Sequence, residues 1–419
     1  MHSPGGGITM PAMARPATKS TALWVVRRLR RAGHVALLAG GCVRDMLLGR
    51  RTHDYDIATD ATPRQVRKLF SHVLLVGAQF GVAVVVHHRQ TVEVATFRSD
   101  ASYSDGRRPD SVTFSSPRED AERRDFTING MFYDPLARKV IDYVGGRADL
   151  RRRVIRTIGP PDERFAEDYL RMLRAVRLAA TLGFAMDPAT RRAIGARADR
   201  IRRVSGERVF DELWKMLSQP TAGEALEELA AVKLAGRLLA ELFDRKLWPA
   251  AVRRVGAVAK RKDATLATAA LLADLSAGDV RKIIRRWGAP NALRDAVVWM
   301  GQHLDDWQRA AELPLCDFKR LMAHEQFERL RVLWRAAERQ ATGKTTHSLR
   351  IARRAGRIAP GQVAPGPLVT GDDVMAMGLS EGPAVGRILR RIYDAQLNGE
   401  LTTRRAALAA AGELAARQG

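Results

Sequence analysis

Gly40-Gly41-Cys42-Val43-Arg44-Asp45, followed by Asp54-Tyr55-Asp56, is the stretch of this sequence best equipped for chemistry. The apolar run Val35-Ala36-Leu37-Leu38-Ala39 predicts a short buried strand that ends at two glycines. The residues after them predict a helix that stops at Gly49. Strand, tight turn and helix start together present free backbone N–H groups and the positive end of a helix dipole. Glycines let an anion approach that backbone closely. Arg44, in the first turn, adds a charged donor. Asp54 and Asp56 sit two apart in a β-prone stretch, so as strand residues both carboxylates leave one face. Paired carboxylates beside a phosphate cradle are what two-metal nucleotidyl transfer requires. A Gly-Gly turn or a solvated Asp-x-Asp explains either piece alone, but explains both within seventeen residues less well.

Three further groups carry polar chemistry. Glu93 lies in the alternating strand pattern Thr91 to Arg98. Either it faces inward with Ala95 and Phe97 and needs a partner or a metal, or it faces solvent while Val92 and Val94 face the core. Arg123-Arg124-Asp125-Phe126-Thr127-Ile128-Asn129 follows an acidic helix start at Glu119-Asp120. On a helix Asp125 and Asn129 share a face and could hold ribose hydroxyls; the plainer reading is a charged helix N-terminus. Asp168, Arg171, Arg174 and Arg177 recur every three residues opposite Leu170, Leu173 and Val176. An Asp acceptor beside an Arg donor can satisfy a nucleobase edge, and the commoner meaning of such spacing is an i,i+3 salt bridge.

The elements that position these residues divide along the chain. Residues 20–150 mix helix and strand patterns: Ser20 to Arg31 and Thr62-Pro63 to Phe70 as helices, and Val73–Val76, Val82–His87, Thr91–Phe97 and Val140–Val144 as strands. Arg98 to Pro117 is polar and reads as a mobile loop. From about Val154 helical periodicity dominates, beginning with one long helix from Glu163 to Leu182 closed by Gly183. Pro and Gly return at Ala355 to Pro367, the best linker candidate, and a helical piece runs from Ala384 to Gln418 with a break near Asn398-Gly399. Residues 1–19, rich in Gly, Pro, Ala and Ser, read as a disordered leader with Met10 or Met13 as alternative starts.

With 419 residues the chain can bury a sizeable core, and no apolar run approaches the ~20 residues of a membrane span. Cys42 and Cys316 form neither a zinc-type cluster nor a disulfide framework, which makes a reducing, cytoplasmic setting the default. Net charge is +24, an excess that suits a polyanionic partner, most simply a nucleic acid. Aromatics are only 6%, favouring recognition of a folded RNA through backbone and shape over long single-strand stacking.

In their order, Gly40 to Asp45, Asp54-x-Asp56, Arg123 to Asn129, Glu167 to Arg177 and Gly206-Glu207-Arg208 resemble the class II tRNA nucleotidyltransferase and bacterial poly(A) polymerase superfamily, most strongly over residues 30–230. The resemblance implies an α+β chain: a polymerase-β-like catalytic head (20–150), then all-helical neck (151–235), body (236–354) and tail (368–419), with 355–367 as linker. It implies Mg²⁺ on Asp54 and Asp56, Glu93 as a third carboxylate, and nucleotide contacts from Gly40, Gly41, Arg44, Arg124, Asp125 and Asn129. Asp168 and Arg171 would read the base in the neck, beside Arg174 and Arg177, and the tail would bind tRNA. The implied activity is template-independent addition of CCA to tRNA from CTP and ATP, without a membrane partner. Poly(A) addition, or addition of only CC or only A, is the alternative. Val76-Gly77-Ala78-Gln79-Phe80-Gly81 lacks the basic pair typical of the polymerases, and Pro367 to Leu401 resembles the tail of CCA-adding enzymes. A different class of reading is a basic RNA-binding protein on a degenerate scaffold, against which the intact Asp54 and Asp56 argue.

Overall fold

The computed structural model describes residues 15–52, 54–75, 81–100 and 112–417. The chain divides into two compact units, one reaching Met216 and taking in Glu224–Ala240, the other comprising Leu217–Gly223 and Glu241 onward. Contacts do not separate residues 20–150 from the segment that follows; both belong to the first unit.

The first unit begins with β1 (Arg15–Pro16), α1 (Lys19–Arg31), β2 (Ala36–Ala39), α2 (Gly41–Leu47), β3 (Asp56–Thr59) and α3 (Pro63–Leu69). Next come β4 (Val73–Leu74), β5 (Val82–His87), β6 (Gln90–Thr96), β7 (Arg98–Asp100), β8 (Val112–Phe114) and α4 (Pro117–Glu122). A 3₁₀ turn, Thr127–Asn129, leads to β9 (Phe132–Asp134), β10 (Lys139–Ile141), α5 (Gly146–Arg152) and β11 (Val154–Ile155). Then follow α6 (Pro161–Glu167), α7 (Leu170–Leu182), β12 (Ala185–Met186), α8 (Pro188–Arg197) and α9 (Gly206–Leu217).

One mixed sheet has the order β10-β9-β2-β3-β6-β5-β4, with β1 also on β6. β3 runs parallel to β6, pairing Ile57 with Val94, while β2 runs antiparallel to β3, pairing Ala39 with Asp56. Strand alternation then sorts the side chains. Leu37, Ala39, Ala58, Phe97 and Phe132 form a core on one face with Ala121 of α4, and Phe97 meets Phe132 edge-on at 5.8 Å. Leu38, Ile57, Val92 and Val94 fill the other face, where the buried Val25, Val26 and Leu29 of α1 lie.

Local signals explain where the helices start. Thr62 with Gln65, and Ser116 with Glu119, form capping boxes with a proline in the first turn. Gly183, at φ +68°, closes α7.

Several expectations need correction. The fold begins before residue 20: Arg15–Pro16 pairs in parallel with Gln90 and Thr91, and α1 starts at Lys19 with Thr18 as its cap, not at Ser20; residues 1–14 lie outside the described residues. The polar loop after Arg98 is in part a ladder, β7 against β8, and residues 101–111 lie outside the described residues. So do 76–80, including the segment that bears on polymerase-like character. The expected all-helical stretch 151–235 contains the parallel pair β11–β12.

The second unit is helical, with long pieces at Trp248–Val258, Asn291–Gln302, Phe327–Thr342 and Pro383–Asn398. Its last segment has a core of its own, built from Val374, Ile388, Ile392, Ala407 and Ala411. The expected linker 355–367 is partly structured. It opens inside a helix ending at Gly356, contains a helical turn at Pro360–Val363, and is pinned where Tyr393 Oη and Gln396 Nε2 donate to the Pro365 and Gly366 carbonyls at 2.9 and 2.8 Å.

Candidate active site

The edge between β2 and α2 is shaped by Gly40. Its φ is +72°, and a Cβ there would stand 3.0 Å from the Arg124 guanidinium, so a side chain is both strained and obstructed. Arg44, in the first turn of α2, donates to Asp45 at 2.9 Å and to Asn129 Oδ1 at 2.8 Å.

The carboxylates come next. Asp56 opens β3, and Asp54 lies just before it, outside any strand, so the expected strand covers only the second of the pair. The alternation still holds: Tyr55 and Ile57 are buried, Asp54 is exposed and Asp56 is half-buried. The β3–β6 register places Glu93 beside Asp56 on the same face, because Ile57 and Val94 are partners facing the other way. Glu93 is therefore exposed and opposite the buried Val92 and Val94, as the solvent-facing reading held, and it stands beside Asp56. Burial first, then Glu93 and Asp54, push the Asp56 carboxyl up to about 7. Glu93 is exposed along its outer edge, yet the crowded floor around it and then Asp54 raise its pKa, against Arg98 and Arg124.

Among the described residues, the three carboxylates have no hydrogen bond or ion pair with the protein. Three mutually repelling acids, tempered by Arg98 and Arg124 from a distance but in direct contact with no cation, are what a divalent cation relieves. Among the described residues, however, no three acidic, His or Cys side chains enclose a cation on their own. A hard cation such as Mg²⁺ takes one or two carboxylates and completes its shell with water and substrate phosphate, and Asp54 and Asp56 are donors of that kind.

The opposite wall is made of arginines. Asp120 of α4, 1% exposed, grips Arg123 at 2.6 Å and Arg124 at 3.0 Å with its two oxygens. Arg124 also lies over the Phe132 ring, 5.1 Å from its centroid. Asp125 and Asn129 are not on one helix: Phe126 is extended and Asn129 belongs to the 3₁₀ turn. They meet all the same, Asn129 Nδ2 donating to Asp125 Oδ1 at 3.1 Å. The other Asp125 oxygen accepts from Arg174 Nε at 2.8 Å. Burial opposes the Asp125 charge, but Arg174, with the hydrogen bonds from Asn129 and the Phe126 N–H, outweighs it and holds the carboxyl down at about 2.

The expected long helix over 163–182 breaks at Asp168, whose backbone is extended at φ −154° and ψ 106° between α6 and α7. The break undoes the i,i+3 pair. Asp168 instead caps Leu170 N at 3.0 Å and pairs with Arg208 at 2.7 Å, while Arg171 pairs with Glu167 and donates to the Arg164 carbonyl at 3.0 Å. Arg177 pairs at 2.6 Å with Glu212, a buried acid on α9 that also lies 4.0 Å from Arg174.

These groups line one open cavity of about 480 Å³. Gly40, Gly41, Arg44, Asp56, Arg124, Asp125 and Asn129 lie on its strand side; Asp168, Arg171, Arg174 and Arg177 lie on its helix side. Glu93 and Asp54 are not among the lining residues. Arg123, the first of the two arginines in the Arg123–Asn129 motif, lines it as well, and so does Arg208; no role was expected of Arg208 or of the two buried acids Asp120 and Glu212. Asp120 had a local signal, standing three and four residues before the arginines it grips. Arg208 lay in a recognised motif without an assigned role, and Glu212 offered no signal apart from its spacing.

Residues 36–156 match the family described as the Poly A polymerase head domain, and residues 183–245 match the probable RNA and SrmB-binding site of polymerase A. The chain is 37% identical over 392 residues to the CCA-adding enzyme of Geobacillus stearothermophilus, spanning 91% of this chain and 93% of that one. It is 35% identical to the CCA-adding enzyme of Levilactobacillus brevis, over 95% and 96% of the two chains. The crystal structure of Bacillus stearothermophilus CCA-adding enzyme in complex with CTP superposes with a TM-score of 0.78 at 34% identity, covering 95% of this chain and 96% of that one. Full-length identity at this level, with a mixed-sheet head and a helical remainder, means that the chain belongs to the class II CCA-adding enzyme family.

Proposed function

We propose that this chain completes tRNA 3′ ends with CCA, taking CTP and ATP as substrates without a nucleic-acid template. The observation that carries the reading is the single cavity in which Asp56 and the Gly40–Gly41 turn face Asp168 and Arg171. Metal-side and base-side groups are thus within reach of one nucleotide. In the reaction the RNA 3′-oxygen bonds to the α-phosphorus of the nucleotide, the bond to the β-phosphate oxygen breaks, and pyrophosphate leaves with the hydroxyl proton released.

Nucleotidyltransferases of this family are generally metal-dependent, and we assign Mg²⁺ to Asp54 and Asp56 with Glu93 as the third carboxylate. Bound there, Mg²⁺ would lower the pKa of the attacking hydroxyl and screen the phosphate charge. The Gly40–Gly41 turn admits the phosphates to the backbone, and Arg44 and Arg124 face them with guanidinium charge held in place by Asp45 and Asp120. Asp168 accepts from, and Arg171 donates to, the base edge. Arg174 and Arg177 stand beside them. Asp125 and Asn129 orient Arg174 and Arg44 at the ribose side.

We assign the last helical segment to gripping tRNA, and residues 151–235 and 236–354 to neck and body. No helix among the described residues is long and apolar enough to cross a membrane, and Cys42 and Cys316 are free thiols; we read the setting as cytoplasmic.

Poly(A) addition is the second reading, supported by the description of the two matched family models. Identity to CCA-adding enzymes through the C-terminal segment favours the first. The deciding experiment supplies purified protein and Mg²⁺ with tRNAs ending before C, CC or CCA, and with CTP, ATP or both. Addition that stops at CCA is expected. A long A tail on unrelated RNA would establish the second reading instead.

A further inference from the structure

The seven arginines that line the cavity are each paired with an acid. The outer surfaces of α1 and α3 break this pattern. Arg27 and Arg31 are one turn apart on α1, and Arg64, Arg67 and Lys68 are at i, i+3 and i+4 on α3; all five are exposed. Among the described residues none of the five has a hydrogen bond or ion pair. Neither helix contains an Asp or Glu. Basic residues in the last turn of a helix complement its dipole, which accounts for some of this charge. It does not account for Arg64, in the first turn of α3, where a cation is disfavoured.

The two stripes are held together. Arg28 Nε donates to the Leu69 carbonyl at 2.5 Å and its guanidinium lies 5.7 Å from the Phe70 ring, while Trp24 meets Phe70 edge-on at 5.4 Å. Trp24 is half-buried and stacks on His87 at 3.8 Å, giving the patch a flat aromatic margin. The location matters as well. α1 packs on β2, β3 and β6 and contributes nothing to the core on the Asp56 face, which leaves it the face bearing Leu38, Ile57 and Val94; the stripes then lie behind the catalytic sheet, away from Asp56 and Glu93. Nucleotide and RNA 3′ end entering the cavity do not neutralise these charges.

We infer that the α1–α3 surface is a second nucleic-acid site that binds the phosphate backbone of an RNA segment remote from the 3′ end in the cavity. This rests on the reading of the chain as an RNA-processing enzyme. Unpaired cations on two adjacent helices match a row of phosphates, which is how sequence-independent affinity is gained. An anionic membrane fits less well: surface-seeking helices present large apolar side chains to the lipid, and the outward residues of these stripes are all charged.

The test is a fourfold variant, Arg27→Glu, Arg31→Glu, Arg64→Glu and Arg67→Glu, with a matching fourfold Arg→Gln variant that removes charge without reversing it. Both are made in the full chain and checked by circular dichroism. The probe is an RNA duplex with 3′-deoxy ends, which cannot be extended. Expected is a loss of duplex affinity of roughly tenfold or more at low salt, and a plot of log K against log salt shallower by about 2 to 4, since each phosphate contact contributes about 0.9. The Gln variant is expected to show the same change in slope, and both variants to keep wild-type kcat on saturating tRNA. Unchanged affinity and slope in the Gln variant would overturn the proposal and leave a merely solvated face. So would an unchanged duplex affinity with lost binding to phosphatidylserine vesicles, which would make the patch a membrane surface. If wild-type protein binds the duplex through these residues but does not extend tRNA, the functional reading fails and the surface stands.

Discussion

The Asp56 carboxyl, raised to about 7 by burial and then by Glu93 and Asp54, binds its proton more tightly in the folded chain than in the unfolded one. An unfolded Asp titrates near 3.9, so stability falls as pH rises between about 4 and 7 and stays low above. Asp56→Asn removes this cost. We expect the variant, without divalent ions, to melt above wild type at pH 8 by about 2–4 °C per kcal/mol relieved, with the difference shrinking toward pH 4. The same change should reduce CTP and ATP incorporation by on the order of a thousandfold, because metal-assisted charge neutralisation is worth several kcal/mol. Near-wild-type turnover with Mg²⁺ would refute the metal assignment. For Arg171, leaving a base-reading contact unpaired costs about 1–3 kcal/mol, so Arg171→Ala should lower CTP and ATP use and relax exclusion of UTP and GTP by roughly tenfold to a hundredfold. If Arg171 serves only its pairing with Glu167, the variant will melt earlier with unchanged preference; relative incorporation of the four nucleotides separates the two.

At the level of elements, the 3₁₀ turn Thr127–Asn129 joins the strand and helix walls of the cavity, because Asn129 touches both Arg44 and Asp125. The turn packs against the start of α5, where a Cβ on Gly146 would stand 2.2 Å from the Thr127 carbonyl oxygen and 2.8 Å from Met131 Cγ. Backbone cannot yield as a flexible side chain can. Gly146→Ala is therefore expected to cost about 1–3 kcal/mol in urea denaturation, the range of overpacking at a tight contact. It should also slow incorporation of both nucleotides, since the turn can relax only by moving Asn129. Wild-type stability in this variant would mean that α5 does not hold the turn.

Across the whole molecule the net charge of +24 makes salt the natural probe. Affinity for tRNA should fall steeply and linearly on a log–log plot, as counterion release dictates. The C-terminal segment has its own core, and it is tied to the helix Leu315–Ala323 where Lys319 Nζ donates to the Leu397 carbonyl at 2.7 Å. Removing residues from Pro367 onward should weaken tRNA binding and flatten its salt dependence more than it slows single-nucleotide chemistry at saturating RNA. Unchanged affinity and slope in a truncated chain that keeps its helical circular dichroism would take RNA grip away from this segment.

Much of the site was legible in the chain because its signals are local. The apolar run before Gly40 and Gly41, the capping pairs Thr62–Gln65 and Ser116–Glu119, and the stop at Gly183 act through neighbours a few residues away. Sequence alone therefore determined the strand–turn–helix cradle, the order of mixed and helical regions, and the residue types facing the cavity. Tertiary structure decided which group meets which. The β3–β6 register, not the alternation of β6, brought Glu93 beside Asp56. Asp168 turned from Arg171 to Arg208, forty residues away, because the backbone leaves the helix at Asp168 itself. Asp125 found Arg174 across forty-nine residues. Periodicity reports which way a side chain points along its own element; the partner it meets depends on how elements pack, and no local spacing encodes that.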